Sequence, residues 1–151
     1  MKQPLEISAK EARCFMLSHL LLGGEKIEGD ASVMRVFERL RFIAPLDNLM
    51  WDRSLISALF GMDYHWEVYE PPQKRKFGYY VIPILAGDEL VGRVEPFLKK
   101  GDEIMRVRLW LEEGVKHRKI GSKAIRHALE EYTQFLGAKD YLLEAAAKEN
   151  L

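Results

Sequence analysis

The chain has 151 residues, 48% of them hydrophobic and 11% aromatic, so it can bury one core and is not a disordered tail. Its 23 lysine and arginine residues equal its 23 aspartate and glutamate residues, which excludes a global attraction to nucleic acid and leaves only local basic patches. The single Cys14 excludes a disulfide framework and a multi-cysteine zinc site, and no apolar stretch has the length of a signal peptide or a membrane span, so we expect a cytoplasmic protein without a membrane partner.

The N-terminal part of the chain, residues 1–43, is predicted to be helical. Ser8 and Glu11 have the spacing of a capping box, and a helix is expected over about residues 9–22. A second helix is expected to run to about Arg41. The two helices form either a helix-turn-helix or a plain helical hairpin.

A third helix is predicted after Pro45, whose ring ends the preceding helix because it does not fit a helix interior. Asp52 has the position and the side chain of an N-cap, and this helix is expected to run through Phe60 and end at Gly61. Trp51 is interpreted as an anchor in the hydrophobic core.

An antiparallel meander is predicted for the second half of the chain. Residues 77–86 are almost continuously apolar, as in a central strand, which would place Tyr79 and Tyr80 on opposite faces. Further strands are expected over residues 90–98 and 104–112, with tight turns between them. The second of these alternates, so that Arg106, Arg108 and Trp110 are expected on one face and the apolar residues between them on the other.

A final helix is expected over about residues 116–136. The predicted fold is a single α+β domain over residues 1–143, with N-terminal helices, an antiparallel sheet of about four strands and a C-terminal helix. Residues 144–151 are set apart because residues 144–148 match the unit of a common engineered helical spacer. They are either a tail of engineered origin or the fraying end of an alanine-rich helix.

Three segments within residues 44–137 carry the most specific pattern of the chain. They read APLDNLMWDR from Ala44, KRKFGYYVIP from Lys74 and LVGRVEP from Leu90. They resemble the "SPFDNLLWDR", "KRxYGYYVLP" and "LVGRxDPK" segments of winged-helix proteins related to the crosslink-repair DNA glycosylases, the YcaQ/AlkZ-like family. The resemblance implies a winged-helix-related fold and duplex DNA as a partner.

The same resemblance bears on catalysis. Members of the family are usually longer, and the tandem winged-helix body is missing here, so a separate protein that supplies the winged helices is a candidate partner. By the register of the resemblance, the family's catalytic glutamine and its acidic or glutamine partner fall on Ala44 and Leu46. Neither side chain can activate water or polarise a base. Asp47 lies one residue out of phase and matches the aspartate of the family's "PFDN" segment.

A first basic cluster opens the predicted final helix. Residues 116–127 hold five lysine or arginine residues and two histidines, with no acid among them. The five are Lys116, Arg118, Lys119, Lys123 and Arg126. Cations are disfavoured at a helix N-terminus, and a bound phosphate would offset that cost. The alternative is a solvated face whose charges meet acids elsewhere in the fold.

A second basic strip is predicted on the meander, formed by Arg93, Lys99, Lys100, Arg106 and Arg108. A turn at residues 100–101 would place Arg93 opposite Arg108, and the same register places Glu95 opposite Arg106. Because like charges that face each other cost energy, a phosphate would stabilise the strip, as in a wing beside a DNA backbone. The alternative is neutralisation by nearby glutamates.

A third basic group is Lys74, Arg75 and Lys76, which lie close in sequence to Tyr79 and Tyr80. Cations interleaved with aromatic residues can hold phosphates and stack on bases. The alternative is that the tyrosines pack in the core and the lysines are solvated.

These patterns predict a DNA-binding, non-catalytic relative of the winged-helix DNA-repair glycosylases that contacts duplex phosphates. No cofactor or metal is expected, because the histidines at positions 19, 65, 117 and 127 lack the spacing of metal ligands. One rival is a residual DNA glycosylase that acts on alkylated or crosslinked bases, with Asp47 in place of the missing motif. The other is a protein-interaction module that has lost DNA binding.

Overall fold

The computed structural model describes residues 39–112 and 122–144. Its strands are β1 (Leu40–Phe42), β2 (Ile82–Ala86), β3 (Glu89–Phe97), β4 (Ile104–Leu111) and β5 (Asp140–Glu144), and its α-helices are α1 (Arg53–Phe60) and α2 (Ser122–Phe135). Short 3-10 turns lie at Asn48–Met50, Glu67–Tyr69 and Pro72–Lys74. The prediction of an α+β fold is confirmed. The first predicted helix and most of the second lie outside the described residues.

The five strands form one mixed sheet in the order β1-β2-β3-β4-β5. The first four run antiparallel to their neighbours, whereas β5 pairs with β4 in parallel after the chain crosses over through α2. In the described residues the sheet therefore has five strands where about four were expected, and β5 was not predicted. Within the two described ranges, no helix is long and apolar enough to cross a membrane.

The second helix was predicted to run to about Arg41, and this end point is wrong because Leu40 to Phe42 form strand β1. Leu40 pairs with Ala86, Phe42 pairs with Ile84, and the backbone N–H of Ile43 donates to the carbonyl of Pro83 at 3.0 Å. A short apolar run at the end of a helical pattern is compatible with a helix or a strand. Here it forms a strand because it pairs with β2.

Helix α1 confirms the prediction at both ends. The Asp52 Oδ1 atom accepts a hydrogen bond from the Leu55 N–H at 2.9 Å, and Gly61 ends the helix with a positive φ of 67°. Trp51, in contrast, is not a core anchor. Its side chain is 75% exposed, and its indole N–H donates to the carbonyl of Leu46 at 3.2 Å.

Two hydrophobic cores lie on the two faces of the sheet. On one face, Ala128 and Leu129 of α2 pack against a cluster of strand residues formed by Leu40, Ile82, Ile84, Val91, Val94, Met105 and Val107. On the other face, Ile56 of α1 belongs to a cluster with Ile43, Leu49, Met50, Met62, Tyr64, Leu85 and Leu90. Helix α2 therefore covers one face, and α1 covers only the part of the other face near β2.

Residues 76–80 form a loop and not the start of β2, which corrects the predicted strand over residues 77–86. The Glu67 carboxylate accepts hydrogen bonds from the backbone N–H groups of Lys76, Phe77 and Gly78 at 2.9, 2.9 and 3.1 Å. The Glu95 carboxylate accepts from the N–H groups of Tyr79 and Tyr80 at 2.7 and 3.3 Å. We call residues 76–80 the carboxylate-held loop.

Tyr79 and Tyr80 therefore do not alternate across a strand as predicted. The backbone N–H groups of the carboxylate-held loop donate to side chains, because none of the five described strands pairs with this loop. Glu67 and Glu95 are each 6% exposed, so both carboxylates are buried where backbone donors replace their hydration.

Gly78 is required by this packing, because a Cβ atom at this position would overlap the carboxyl group of Glu95. We expect Gly78→Ala to lower the free energy of unfolding by about 2 kcal/mol, as overpacking does elsewhere. Urea denaturation measures the change. Gln73→Ala, in an exposed turn, is the matched control and should change stability by less than about 0.5 kcal/mol. Equal stability of the two variants would contradict this account of Gly78.

The predicted register of β3 and β4 is wrong by two residues. Arg93 pairs with Trp110, and Glu95 pairs with Arg108. The predicted turn at residues 100–101 is present, because the Asp102 N–H donates to the Lys99 carbonyl at 3.0 Å. Strand pairing resumes only at Phe97 and Arg106, however, so the connection also includes residues 102 and 103, and these shift the register. Like charges therefore do not face each other across this pair.

Candidate nucleic-acid interface

A surface pocket of about 530 Å³ lies on the face of the sheet opposite α2. Strands β3 and β4 form one side of it, and the carboxylate-held loop and the adjoining 3-10 turn form another. The charged residues that line it are Arg75, Lys76, Arg106, Arg108, Glu95 and Glu144. Four cations against two carboxylates leave an excess of two positive charges. We call this feature the sheet pocket.

Strand alternation explains why these side chains meet. Arg106 and Arg108 are two residues apart on β4 and project from the face that α2 does not cover, while the alternate residues Met105 and Val107 enter the core. Glu144 reaches the same pocket because it is the partner of Arg108 in the pairing of β4 with β5.

Two pocket cations are available to a ligand. Lys76 is exposed, and no carboxylate lies within 4.0 Å of its ammonium group in the described part of the chain. The Arg106 Nε atom lies 3.8 Å from Glu144 Oε1, and the two side chains are 51% and 40% exposed, so this ion pair is weak.

The other two pocket cations hold the structure together. The Arg75 Nε atom donates to the backbone carbonyls of Glu67 and Glu70 at 3.3 and 2.9 Å, and its guanidinium lies 5.0 Å from the centre of the Tyr79 ring. Arg108 forms an ion pair with buried Glu95. These contacts fix the carboxylate-held loop relative to β4.

The pKa of Glu67 reflects the loop that it holds. Burial raises this pKa, but the N–H groups of Phe77, Lys76 and Gly78 donate to the carboxylate and more than offset burial. The pKa of Glu67 therefore lies below its ordinary value, and the carboxylate stays ionised inside the protein.

Arg93, predicted to lie in the basic strip, is buried. It forms an ion pair with Glu112 and donates to the backbone carbonyl of Asp63 at 2.5 Å, and its guanidinium lies 4.5 Å from the centre of the Phe77 ring. These contacts join β3 to the segment after α1. Arg93 is therefore placed to support the fold beneath the sheet pocket and not to meet a ligand.

Three lysines that were predicted to contact DNA lie outside the lining of the sheet pocket. Lys74, at the end of a 3-10 turn, is exposed and precedes the lining residue Arg75. Lys99 and Lys100 are exposed in the connection between β3 and β4. The Lys99 ammonium lies 6.0 Å from the centre of the Phe97 ring, which lines the pocket.

The predicted cluster on the final helix lies elsewhere. Lys123 and Arg126 are exposed on α2, whose buried side packs on the opposite face of the sheet from the pocket. The structure therefore does not bring them together with Arg106 and Arg108. Lys116, Arg118 and Lys119 lie outside the described residues.

Asp47 has a structural role in the described part of the chain. Its Oδ1 atom accepts the Leu49 N–H at 2.9 Å and so caps the turn at Asn48–Met50. It lines an open depression of about 510 Å³ together with residues that include Ala44 and Glu131. No group of three or more histidine, cysteine, aspartate or glutamate side chains in residues 39–112 and 122–144 could hold a metal ion.

Five aromatic residues also line the sheet pocket, and three of them were not predicted from the sequence to belong to a site. The set is Phe77, Tyr79, Tyr80, Phe97 and Trp110, of which Phe77, Phe97 and Trp110 are the unpredicted members. The rings of Phe77 and Trp110 meet edge to face at 5.5 Å. The signal for Trp110 was present in the alternation that placed it on the face of Arg106 and Arg108.

The sequence model of the DNA glycosylase AlkZ-like family matches residues 4–135, which is most of the chain. The chain belongs to this family. Membership in the AlkZ-like family confirms the resemblance seen in the three signature segments and relates the protein to DNA repair.

Solved structures are less informative about this AlkZ-like protein. Two crystal structures of aminoglycoside acetyltransferase meta-AAC0020 from an uncultured soil metagenomic sample, with trehalose and with sisomicin, share 18% identity with it. Each alignment covers 76% of this chain and 81% of the other at a TM-score of 0.41. A transcriptional regulator from Bacillus halodurans C-125 shares 16% identity over 98% of this chain and 82% of its own, at a TM-score of 0.32. Likenesses this weak carry no argument about function.

Proposed function

We propose that this AlkZ-like protein binds duplex DNA through its phosphates and does not excise bases. The observation that carries the proposal is the sheet pocket, where Lys76 and Arg106 are exposed beside further cations on a face that α2 leaves open. Family membership supports DNA as the partner. A cytoplasmic location, predicted from the sequence, accords with this role.

The exposed cations suit the repeated phosphates of a DNA strand. Cations on a firmly held backbone can contact successive phosphates of one strand, and each contact releases condensed counterions from the DNA. Lys74, Lys99 and Lys100 are exposed in the segments that flank the pocket and would extend the contact along the backbone. Such contacts position a protein on DNA without reading its sequence.

The proposal excludes base excision on chemical grounds. Ala44 and Leu46, at the positions of the family's catalytic motif, carry no group that could activate water. Asp47 uses one carboxylate oxygen to cap a turn. In this proposal a separate protein supplies the winged helices, and any catalytic motif would belong to that partner.

A residual DNA glycosylase is the second candidate, because Asp47 lines the same depression as Glu131 and Tyr132. A base-excising site needs a group that positions water or stabilises the sugar cation, and Asp47 is the candidate for that role. The two functions predict opposite outcomes in one assay.

We expect no excision of 7-methylguanine from a duplex by the full chain, measured as strand cleavage at abasic sites after alkali treatment. Asp47→Asn is the companion variant, since asparagine caps a helical turn about as well as aspartate and preserves the fold. Excision by the natural chain that disappears in Asp47→Asn would refute the non-catalytic proposal and establish the residual glycosylase.

A further inference from the structure

The sheet pocket exposes aromatic rings beside its cations. Tyr79 and Phe97 are 55% and 49% exposed, although both side chains line a pocket. An intact duplex keeps its bases stacked in its interior, so a protein that met only duplex phosphates would leave these rings unused. Phosphate binding alone therefore does not account for the exposed aromatic rings of the pocket.

Exposed cations beside exposed aromatic rings match the chemistry of a nucleotide. A nucleotide has a phosphate for cations such as Lys76 and Arg106, and a base whose π-face stacks on aromatic rings regardless of sequence. The volume of about 530 Å³ lies in the range of pockets that enclose small molecules. Stacking requires that the base has left its own helix.

We propose that the sheet pocket takes an unpaired nucleotide of DNA, from a single strand or from a bulge in a duplex. This inference rests on the proposed function, because it assigns base stacking to the aromatic rings of the same pocket. The phosphate meets Lys76 and Arg106, and the base stacks on Tyr79 or Phe97.

The pocket is arranged before any ligand binds. The backbone of Tyr79 is fixed by its hydrogen bond to Glu95, and the Arg75 guanidinium lies 5.0 Å from the centre of the Tyr79 ring. Phe97 lies on β3, directly opposite Arg106 on β4. A ring and a cation held on rigid elements lose little conformational entropy on binding.

The test compares two forms of DNA and two pairs of variants in the full chain. Fluorescence anisotropy measures affinity for a labelled oligo-dT strand and for a matched duplex of the same length. We expect the double variant Tyr79→Leu/Phe97→Leu to bind the single strand at least tenfold more weakly, since one base stack contributes roughly 5- to 150-fold. Duplex affinity should change by less than about twofold, because phosphate contacts remain.

Phe135→Leu is the matched control, because Phe135 is an exposed ring on α2, on the other side of the sheet. It should leave both affinities unchanged. Melting curves followed by circular dichroism establish that each variant is folded, as expected for substitutions of exposed side chains.

The outcomes separate this inference from the proposed function. If duplex binds and the ring variant leaves single-strand affinity unchanged, or lowers both affinities equally, the inference fails and the proposed function stands. Binding of the single strand without the duplex would overturn duplex binding and keep the inference. Absence of binding to either form overturns both.

Two further outcomes test the identity of the ligand. Displacement of oligo-dT by free thymidine monophosphate at the same nucleotide concentration would overturn DNA in favour of a free nucleotide. Tighter binding of oligo-U than of oligo-dT would show that the ligand is RNA and would overturn the proposal of DNA.

Discussion

Replacing Glu67 with glutamine should lower the free energy of unfolding by about 3 kcal/mol, because each hydrogen bond to a charged group contributes roughly 1.5–3 kcal/mol. The Glu67 carboxylate accepts three backbone N–H groups, whereas a glutamine amide has one acceptor oxygen and turns two donors of its own toward them. Urea denaturation at about pH 7 measures the change.

Glu70→Gln is the matched control for this substitution. Glu70 lies three residues away in the same segment, and its side chain is 38% exposed with His65 at 3.5 Å. An exposed pair of this kind contributes little, so the control should lose less than about 1 kcal/mol. A loss in Glu67→Gln no larger than in Glu70→Gln would show that the carboxylate does not hold the loop.

The same contacts make the protein sensitive to acid. The folded-state pKa of Glu67 lies below its ordinary value, so its contribution to stability is fully present above the pKa of an unfolded glutamate. It is lost as the pH falls through the folded pKa. The stability difference between the natural chain and Glu67→Gln should therefore shrink in acid, and a difference that grows in acid would contradict the assigned cause.

The second large effect is on DNA binding, where Lys76→Gln/Arg106→Gln should weaken duplex affinity about sixtyfold at about 0.1 M salt. Counterion release contributes a factor of roughly eight per phosphate contact at that salt concentration, and the variant removes two contacts. Both side chains are exposed, so the melting temperature should change little.

Lys123→Gln/Arg126→Gln is the control pair, since it removes the same charge from exposed positions of α2. It also tests the basic cluster predicted for the final helix. If the α2 pair lowers affinity and the sheet-pocket pair does not, the contact surface is the helix and the proposed role of the pocket is wrong.

Local signals in the sequence predicted the parts of the fold that depend on neighbouring residues. The Asp52 cap and Gly61 define α1 within a few residues, and both were correct. The alternation of β4 put Arg106 and Arg108 on one face, which is the face of the sheet pocket. Each of these features depends on side chains less than ten residues apart.

Features that depend on distant partners were not predictable in the same way. The carboxylate-held loop reads as an apolar strand, and only Glu67 and Glu95, placed by the folded chain, give its N–H groups other acceptors. Strand β5 pairs with β4 only after α2 has crossed the sheet, so its short sequence gives no strand signal of its own. Arg93 was predicted as a surface cation because its burial depends on Glu112 and the Asp63 carbonyl.

The dependence of duplex affinity on salt tests DNA binding through the sheet pocket most directly. Fluorescence anisotropy over a salt series gives a slope of log affinity against log salt of about −0.9 for each phosphate contact. We predict a linear, negative slope for the natural chain that becomes about 1.8 less negative in Lys76→Gln/Arg106→Gln. No binding at low salt, or an unchanged slope in this variant, would contradict the account.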